Sequence, residues 1–236
     1  MVALHIRRVL CFLIVAGALI SCATDPNPGT PPAQRILEAA SRATGAAAYS
    51  VPLYILADAS VTGPGDPFRT LIHSTSDGRV RMEQTPSGFV AGIGPSGGWM
   101  QSAATGEVNE LGPAASFVVG HELHMLALHP LSRLSDPRMA EPHPLDPTQA
   151  LGIMMSLPSG DSLVVYFAVS DTLPIGMRVA YTEPNVVVSW SDWAEQDGLQ
   201  LFRKAVFRQG DEVFNYTYDR LEVGALSDSL FERPGS

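Results

Sequence analysis

Three short stretches of the chain carry residue types that do chemistry at suggestive spacings. His121-Glu122-Leu123-His124, with His129 and His143 nearby, invites a metal reading. The zinc-protease pattern H-E-x-x-H sets two histidines at i and i+4 on one helical face. Here the second histidine falls at i+3, and Met125 stands at i+4. That makes His121 and His124 candidates for a structural metal rather than for zinc catalysis. The plainer reading takes them as solvated or capping histidines of a helix. The second stretch is glycine-rich. Gly94-Pro95-Ser96-Gly97-Gly98 fits G-x-S-x-G, and Gly92-Ile93-Gly94-Pro95-Ser96-Gly97 fits G-x-G-x-x-G. A nucleophile elbow needs a helix after its serine, and a dinucleotide fingerprint needs a helix start whose amides meet a pyrophosphate. Trp99-Met100-Gln101-Ser102, which follows both, is strand-like. A tight hairpin connection is expected there, with no nucleophilic role for Ser96. Asp192, Glu195 and Asp197 sit near a strand end and a turn, where acids belong on a solvated edge. No catalytic residue, cofactor or resident metal is assigned on these grounds.

The third stretch is Leu19-Ile20-Ser21-Cys22. It closes a segment with a basic start (His5, Arg7, Arg8) and an apolar run from Val9 to Ile20. That run is too short to span a bilayer as a helix, which takes about 20 residues, and it matches the apolar region of a secretory signal. The end of the segment resembles the bacterial lipobox, in which the cysteine is acylated and becomes the mature N-terminus. Residues 1–21 are read as the signal peptide, Cys22 as the lipidation site and 22–32 as a lipidated flexible tether, rich in Pro, Thr, Asn and Gly. Ala23 follows the cysteine, whereas aspartate there resembles the inner-membrane retention signal, so the outer membrane facing the periplasm is the expected address.

Composition narrows the classes further. The 236 residues are 45% hydrophobic and 17% charged, which excludes wholesale disorder. Fifteen basic residues stand against 24 acidic ones, a net charge of −9, with Lys204 the one lysine. No basic stripe exists to displace counterions, so nucleic acid is set aside as a partner. Removal of residues 1–21 takes away Arg7, Arg8 and Cys11. Cys22 is then alone, and neither an internal disulfide nor a cysteine metal cluster can form.

The elements that would position any site are mostly strands. Pro32 to Gly45 reads as a helix, with Ile36, Leu37, Ala40 and Ala43 in one apolar stripe and glycine at its stop. Strands are expected over 49–61, 68–75, 79–85, 89–93, 99–102 and 107–111, with turns such as Ser76-Asp77-Gly78 between them. Ala114 to His129 has helical spacing (Phe117, Val118, Leu123, Leu126, Ala127), as one helix or two broken near Gly120. Pro130 to Pro147 reads as a long irregular connection. Strands resume over 150–157, 162–169, 176–182, 186–193, 199–208 and 212–223. This spacing, without intervening helices, gives a mainly β, α+β fold with an antiparallel meander. The domain is expected over 33–224, with 225–236 a polar tail.

The order of several segments carries a resemblance: Gly97-Gly98-Trp99, then Leu163-Val164-Val165-Tyr166-Phe167, Asp171-Thr172-Leu173-Pro174-Ile175-Gly176, and Val186-Val187-Val188-Ser189-Trp190-Ser191-Asp192-Trp193. Asp197-Gly198-Leu199-Gln200-Leu201-Phe202 and Phe214-Asn215-Tyr216-Thr217-Tyr218 complete it. This layout, from about Ile36 to Val223, resembles the LolA/LolB-like, outer-membrane lipoprotein-sorting-protein type of domain. The resemblance implies a curved antiparallel half-barrel covered by an N-terminal and a central helix, with an apolar cavity between. A lipid, or the acyl chain of a lipoprotein, would bind there by burial, at about 0.8 kcal/mol per methylene. Strand alternation then nominates the cavity side chains: Val186, Val188 and Trp190 on one strand, Phe214, Tyr216 and Tyr218 on another. The expected function is that of a lipid-anchored carrier or sensor of a hydrophobic ligand. A structural or regulatory lipoprotein that binds an envelope protein through the sheet is the alternative, and a hydrolase or zinc enzyme a minor one.

Overall fold

The structure, a computed structural model, describes residues 32–49, 52–94, 97–112, 123–132, 134–141, 149–157, 162–179, 185–224 and 228–234. The signal peptide, Cys22, the tether up to residue 31, Ser96 and His121 lie outside them. So do residues 114–122 of the expected central helix.

The chain enters through α1 (Pro32–Ala43), which buries Ala33, Leu37 and Ala40 as one stripe. Gly45 ends it with φ 80°, a left-handed conformation, and a Cβ there would collide with the Gly198 carbonyl oxygen. Glycine is thus required twice over, for the turn and for the close approach. The Gln200 amide donates to the Thr44 carbonyl at 2.9 Å, and the Tyr49 hydroxyl donates to the Asp197 carbonyl. These bonds fix the end of α1 on the Asp197-Gly198 turn.

A first run of strands follows: β1 (Tyr54–Thr62), β2 (Phe68–Thr75), β3 (Val80–Thr85), β4 (Val90–Gly94), β5 (Gly97–Gln101) and β6 (Val108–Glu110). Helix α2 (Leu123–Leu128) separates it from a second run. That run comprises β7 (Ser135–Met139), β8 (Ala150–Ser156), β9 (Ser162–Ala168), β10 (Pro174–Val179), β11 (Val186–Gln196), β12 (Leu199–Gln209) and β13 (Glu212–Gly224). All belong to one 13-stranded antiparallel sheet, ordered β6-β5-β4-β3-β2-β1-β13-β12-β11-β10-β9-β8-β7. The fold is therefore two meanders joined where the first strand pairs with the last, Ala57 opposite Leu221. The sheet stays open, with β6 and β7 as its edges, as a curved half-barrel.

Two expectations need correction. The Pro130–Pro147 connection is not irregular throughout, since Ser135–Met139 forms β7. Its proline, Pro137, is tolerable because β7 is an edge strand, where a missing N–H breaks no ladder on the open side. The polar tail also returns to the sheet. Its 3-10 turn Asp228–Phe231 packs on β3 and β4, with Phe231 only 1% exposed. The Arg79 guanidinium lies 5.2 Å from that ring, and Arg233 donates to the Val108 carbonyl at 3.2 Å.

The inner face carries the main core. Ile55, Ala57 and Ala59 of β1 join Leu37 and Ala40 of α1, Met125 and Leu126 of α2, and Val165, Val188 and Trp190 of the second meander. The two helices thus cover one side of the sheet, and each presents too small an apolar face to be stable alone.

Candidate functional site

The glycine-rich motif serves packing. Register places His73, Arg81, Gly92 and Trp99 in one row across β2 to β5, on the face away from the main core. A Cβ on Gly92 would sit 2.7 Å from Trp99 Cζ2, and one on Gly94 would collide with the Phe231 carbonyl. The glycines leave room for an indole and for the returning tail. Strand β5 follows them, so no helix N-terminus faces Gly92 or Gly94.

The same face holds a buried titratable pair, set diagonally across β1 and β2. The Tyr54 hydroxyl lies 2.8 Å from His73 Nδ1. Burial, with Glu222 adding to it, pushes the Tyr54 hydroxyl up to about 12, so it stays protonated beside the imidazole. Burial holds His73 below the ordinary histidine value, against the opposing influence of Glu83, with Arg81, Arg220 and Glu222 also nearby. Below about pH 6.5 the unfolded chain takes up a proton here that the folded chain declines. Stability is therefore expected to fall as pH drops from 7.5 to 5.5, and His73→Gln should flatten that slope. Urea midpoints across the range test this, and an unchanged slope in the variant would remove His73 as the cause.

His124, one of the metal candidates, proves to be a core residue. It is fully buried, its ring stacks on Phe202 with centroids 3.9 Å apart, and its Nε2 donates to the Phe202 carbonyl at 2.9 Å. Tyr218 meets the imidazole edge-on at 4.5 Å, and Trp190 and Trp193 flank Phe202 at 5.6 and 5.5 Å. Full burial between the Phe202 and Tyr218 rings gives the imidazole a packing role. Among the described residues no group of three or more His, Cys, Asp or Glu side chains is placed to hold a metal.

The six nominated cavity residues divide. Val186, Val188, Trp190 and Tyr218 are buried in the main core, and Tyr216 packs partly buried against it. Phe214 stands at the rim, its ring 6.2 Å from Phe207 and against Gly63. The space beside Phe202 and Tyr218 is occupied by the His124 imidazole. Asp192 pairs with Lys204 at 3.2 Å, and Glu195 and Asp197 are exposed, which keeps all three on a solvated edge.

An open pocket of about 370 Å³ lies elsewhere, between α1 and the exit of α2. Helix α1 supplies Gln34, Leu37, Glu38 and Ser41; the other wall is Leu128, His129, Pro130 and Leu131. Gln34, Glu38 and Ser41 each follow a core-facing residue, about 100° further round the helix, so a polar stripe borders the apolar one. Across from it, Pro130 cannot continue α2, and the chain turns into a 3-10 segment, Pro130–Ser132. That turn leaves Leu131 41% exposed at the mouth while Leu128 stays buried. Burial holds His129 below the usual histidine value. Sequence reading noted His129 but not the pocket, because its walls lie far apart in the chain. The polar i, i+4, i+7 stripe beside Leu37 was the available signal.

No family model matches the chain, and no curated protein matches it. Solved structures do. A LolA superfamily protein from Nitrosomonas europaea superposes with a TM-score of 0.61 at 12% identity, over 86% of this chain and 99% of the other. A DUF1329 family protein from Desulfovibrio piger gives 0.58 at 13% identity, over 86% and 98%. A putative outer membrane lipoprotein-sorting protein domain from Vibrio parahaemolyticus gives 0.55 at 11% identity, over 84% and 97%. What these proteins share with the chain at such identities is architecture, from the N-terminal helix to the last strand: the chain has a LolA-like fold.

Proposed function

We propose that this chain is an exported, lipid-anchored envelope protein that binds a lipid, or the acyl chain of a lipoprotein, as carrier or sensor and without turnover. The observation that carries the reading is the pocket between α1 and α2. Its volume, about 370 Å³, falls within the range of small-molecule sites, and its floor, Leu37 and Leu128, belongs to the main core. Ten methylenes buried there would contribute about 8 kcal/mol before the entropy of association is subtracted. The set around Trp190 does not line this pocket, and is proposed as part of the core layer that backs its floor. Ser21-Cys22-Ala23 supports anchoring, with the outer membrane as the address.

Native mass spectrometry of full-length protein extracted from membranes tests the reading. A co-purifying lipid mass is expected in the wild type and absent in Leu131→Asp, which places a charge at the mouth at little cost in stability, within about 0.5 kcal/mol. A stoichiometric protein in place of lipid would favour the partner reading. Bare wild-type protein after gentle extraction would overturn ligand binding.

A further inference from the structure

Resting on the binding role of the α1–α2 pocket, we propose that the pocket selects ligands whose polar end is neutral or cationic and rejects free carboxylates, with Glu38 at the mouth as the selecting residue. Among the described residues that line the pocket there is no lysine and no arginine. Its polar atoms come from Gln34, Glu38 and Ser41 on α1 and from His129 opposite. Arg42, four residues beyond Glu38 on α1, is exposed and outside the lining. Burial keeps His129 neutral near pH 7, so it brings no charge to the pocket.

An acyl chain lying on Leu37 and Leu128 must leave its polar end at the mouth, beside the exposed Leu131 and the Glu38 carboxylate. The Gln34 amide donates to Glu38 Oε1 at 3.4 Å, which holds that carboxylate along the helix at the pocket wall. A fatty-acid carboxylate there would face like charge, with no cation among the described lining residues to accept it. An amine, or a hydroxyl of a monoacylglycerol, finds acceptors in Glu38 and Ser41 and leaves nothing unpaired. The excess of acid over base in the whole chain, a net charge of −9, acts in the same direction at longer range.

The test offers the full chain, extracted in a non-ionic detergent, an equimolar mixture of dodecylamine, monolaurin and laurate, and reads the adducts by native mass spectrometry. The three share a chain length and differ in the charge of the polar end. Amine and monoglyceride adducts are expected to exceed laurate about 3- to 5-fold, the effect of one solvated charge. The amine's lead should shrink with added salt. Glu38→Gln should remove that lead, and Glu38→Arg should place laurate first. Laurate binding as well as the amine, or a ratio that Glu38→Gln leaves unchanged, overturns the selection while leaving the pocket as a lipid site. Absence of all three adducts overturns the lipid site itself.

Discussion

His124→Ala is expected to destabilise the domain by about 3–5 kcal/mol, seen as a lower urea midpoint at unchanged slope. Three losses combine. The imidazole is fully buried, so its removal leaves a void among Phe202, Tyr218 and Met125 rather than a surface dent. Its stacked and edge-on ring contacts, each worth about 0.5–1.5 kcal/mol, disappear. The Phe202 carbonyl loses the Nε2 donor 2.9 Å away. His124→Phe separates these effects. It keeps an aromatic ring and loses the hydrogen bond, and should recover all but about 1–2 kcal/mol. A loss below 1 kcal/mol in the alanine variant would mean that α2 is held to the sheet by something other than this residue. The effect matters for function because α2 leads directly into Leu128, His129, Pro130 and Leu131, one whole wall of the pocket. A loosened α2 should therefore weaken ligand binding as well as stability.

The lower half of the sheet order was written in local chemistry. β2 (Phe68–Thr75) matches the expected segment residue for residue, and β12 and β13 match within a residue, because Gly-containing turns punctuate a clear alternation. The Asp197-Gly198 hairpin shows why: both residues take positive φ, 51° and 79°, as the tightest hairpin turns demand. The pairing of β1 with β13 left no such mark, since it joins segments at opposite ends of the domain. Period-two reasoning also fails where a strand changes phase. Strict alternation puts Trp193 on the face opposite Trp190, yet both rings lie against Phe202. Asp192, at φ 61°, stands between them and turns the alternation over. At Asp219 the register of β13 against β1 shifts in the same manner, so Tyr218 and Leu221 are both core residues although their numbers differ in parity. The proposed pocket escaped sequence reading for a related reason. Neither wall is unusual alone, and only the docking of α1 beside the α2 exit makes them a site.

Cys22→Ala is expected to abolish metabolic palmitate labelling completely while leaving the domain folded. The argument is chemical first. Acylation needs the thiol, and Cys11, the other cysteine, lies inside the apolar run that the signal reading removes. In a variant that keeps its signal Cys11 stays in the chain, but Leu10 rather than a small residue precedes it, so it offers no second lipobox. Folding should be indifferent, because the elements that build the core begin at Pro32, and the stabilising stripe of α1 is Ala33, Leu37 and Ala40. Urea midpoints of the variant and the parent should agree within about 0.5 kcal/mol. Membrane fractionation is the poorer readout, since an uncleaved signal would itself hold the variant at the membrane. Labelling that persists in the variant would reject the lipobox. The acyl group would then sit elsewhere in the chain, and the lipid-binding role would rest on the α1–α2 pocket.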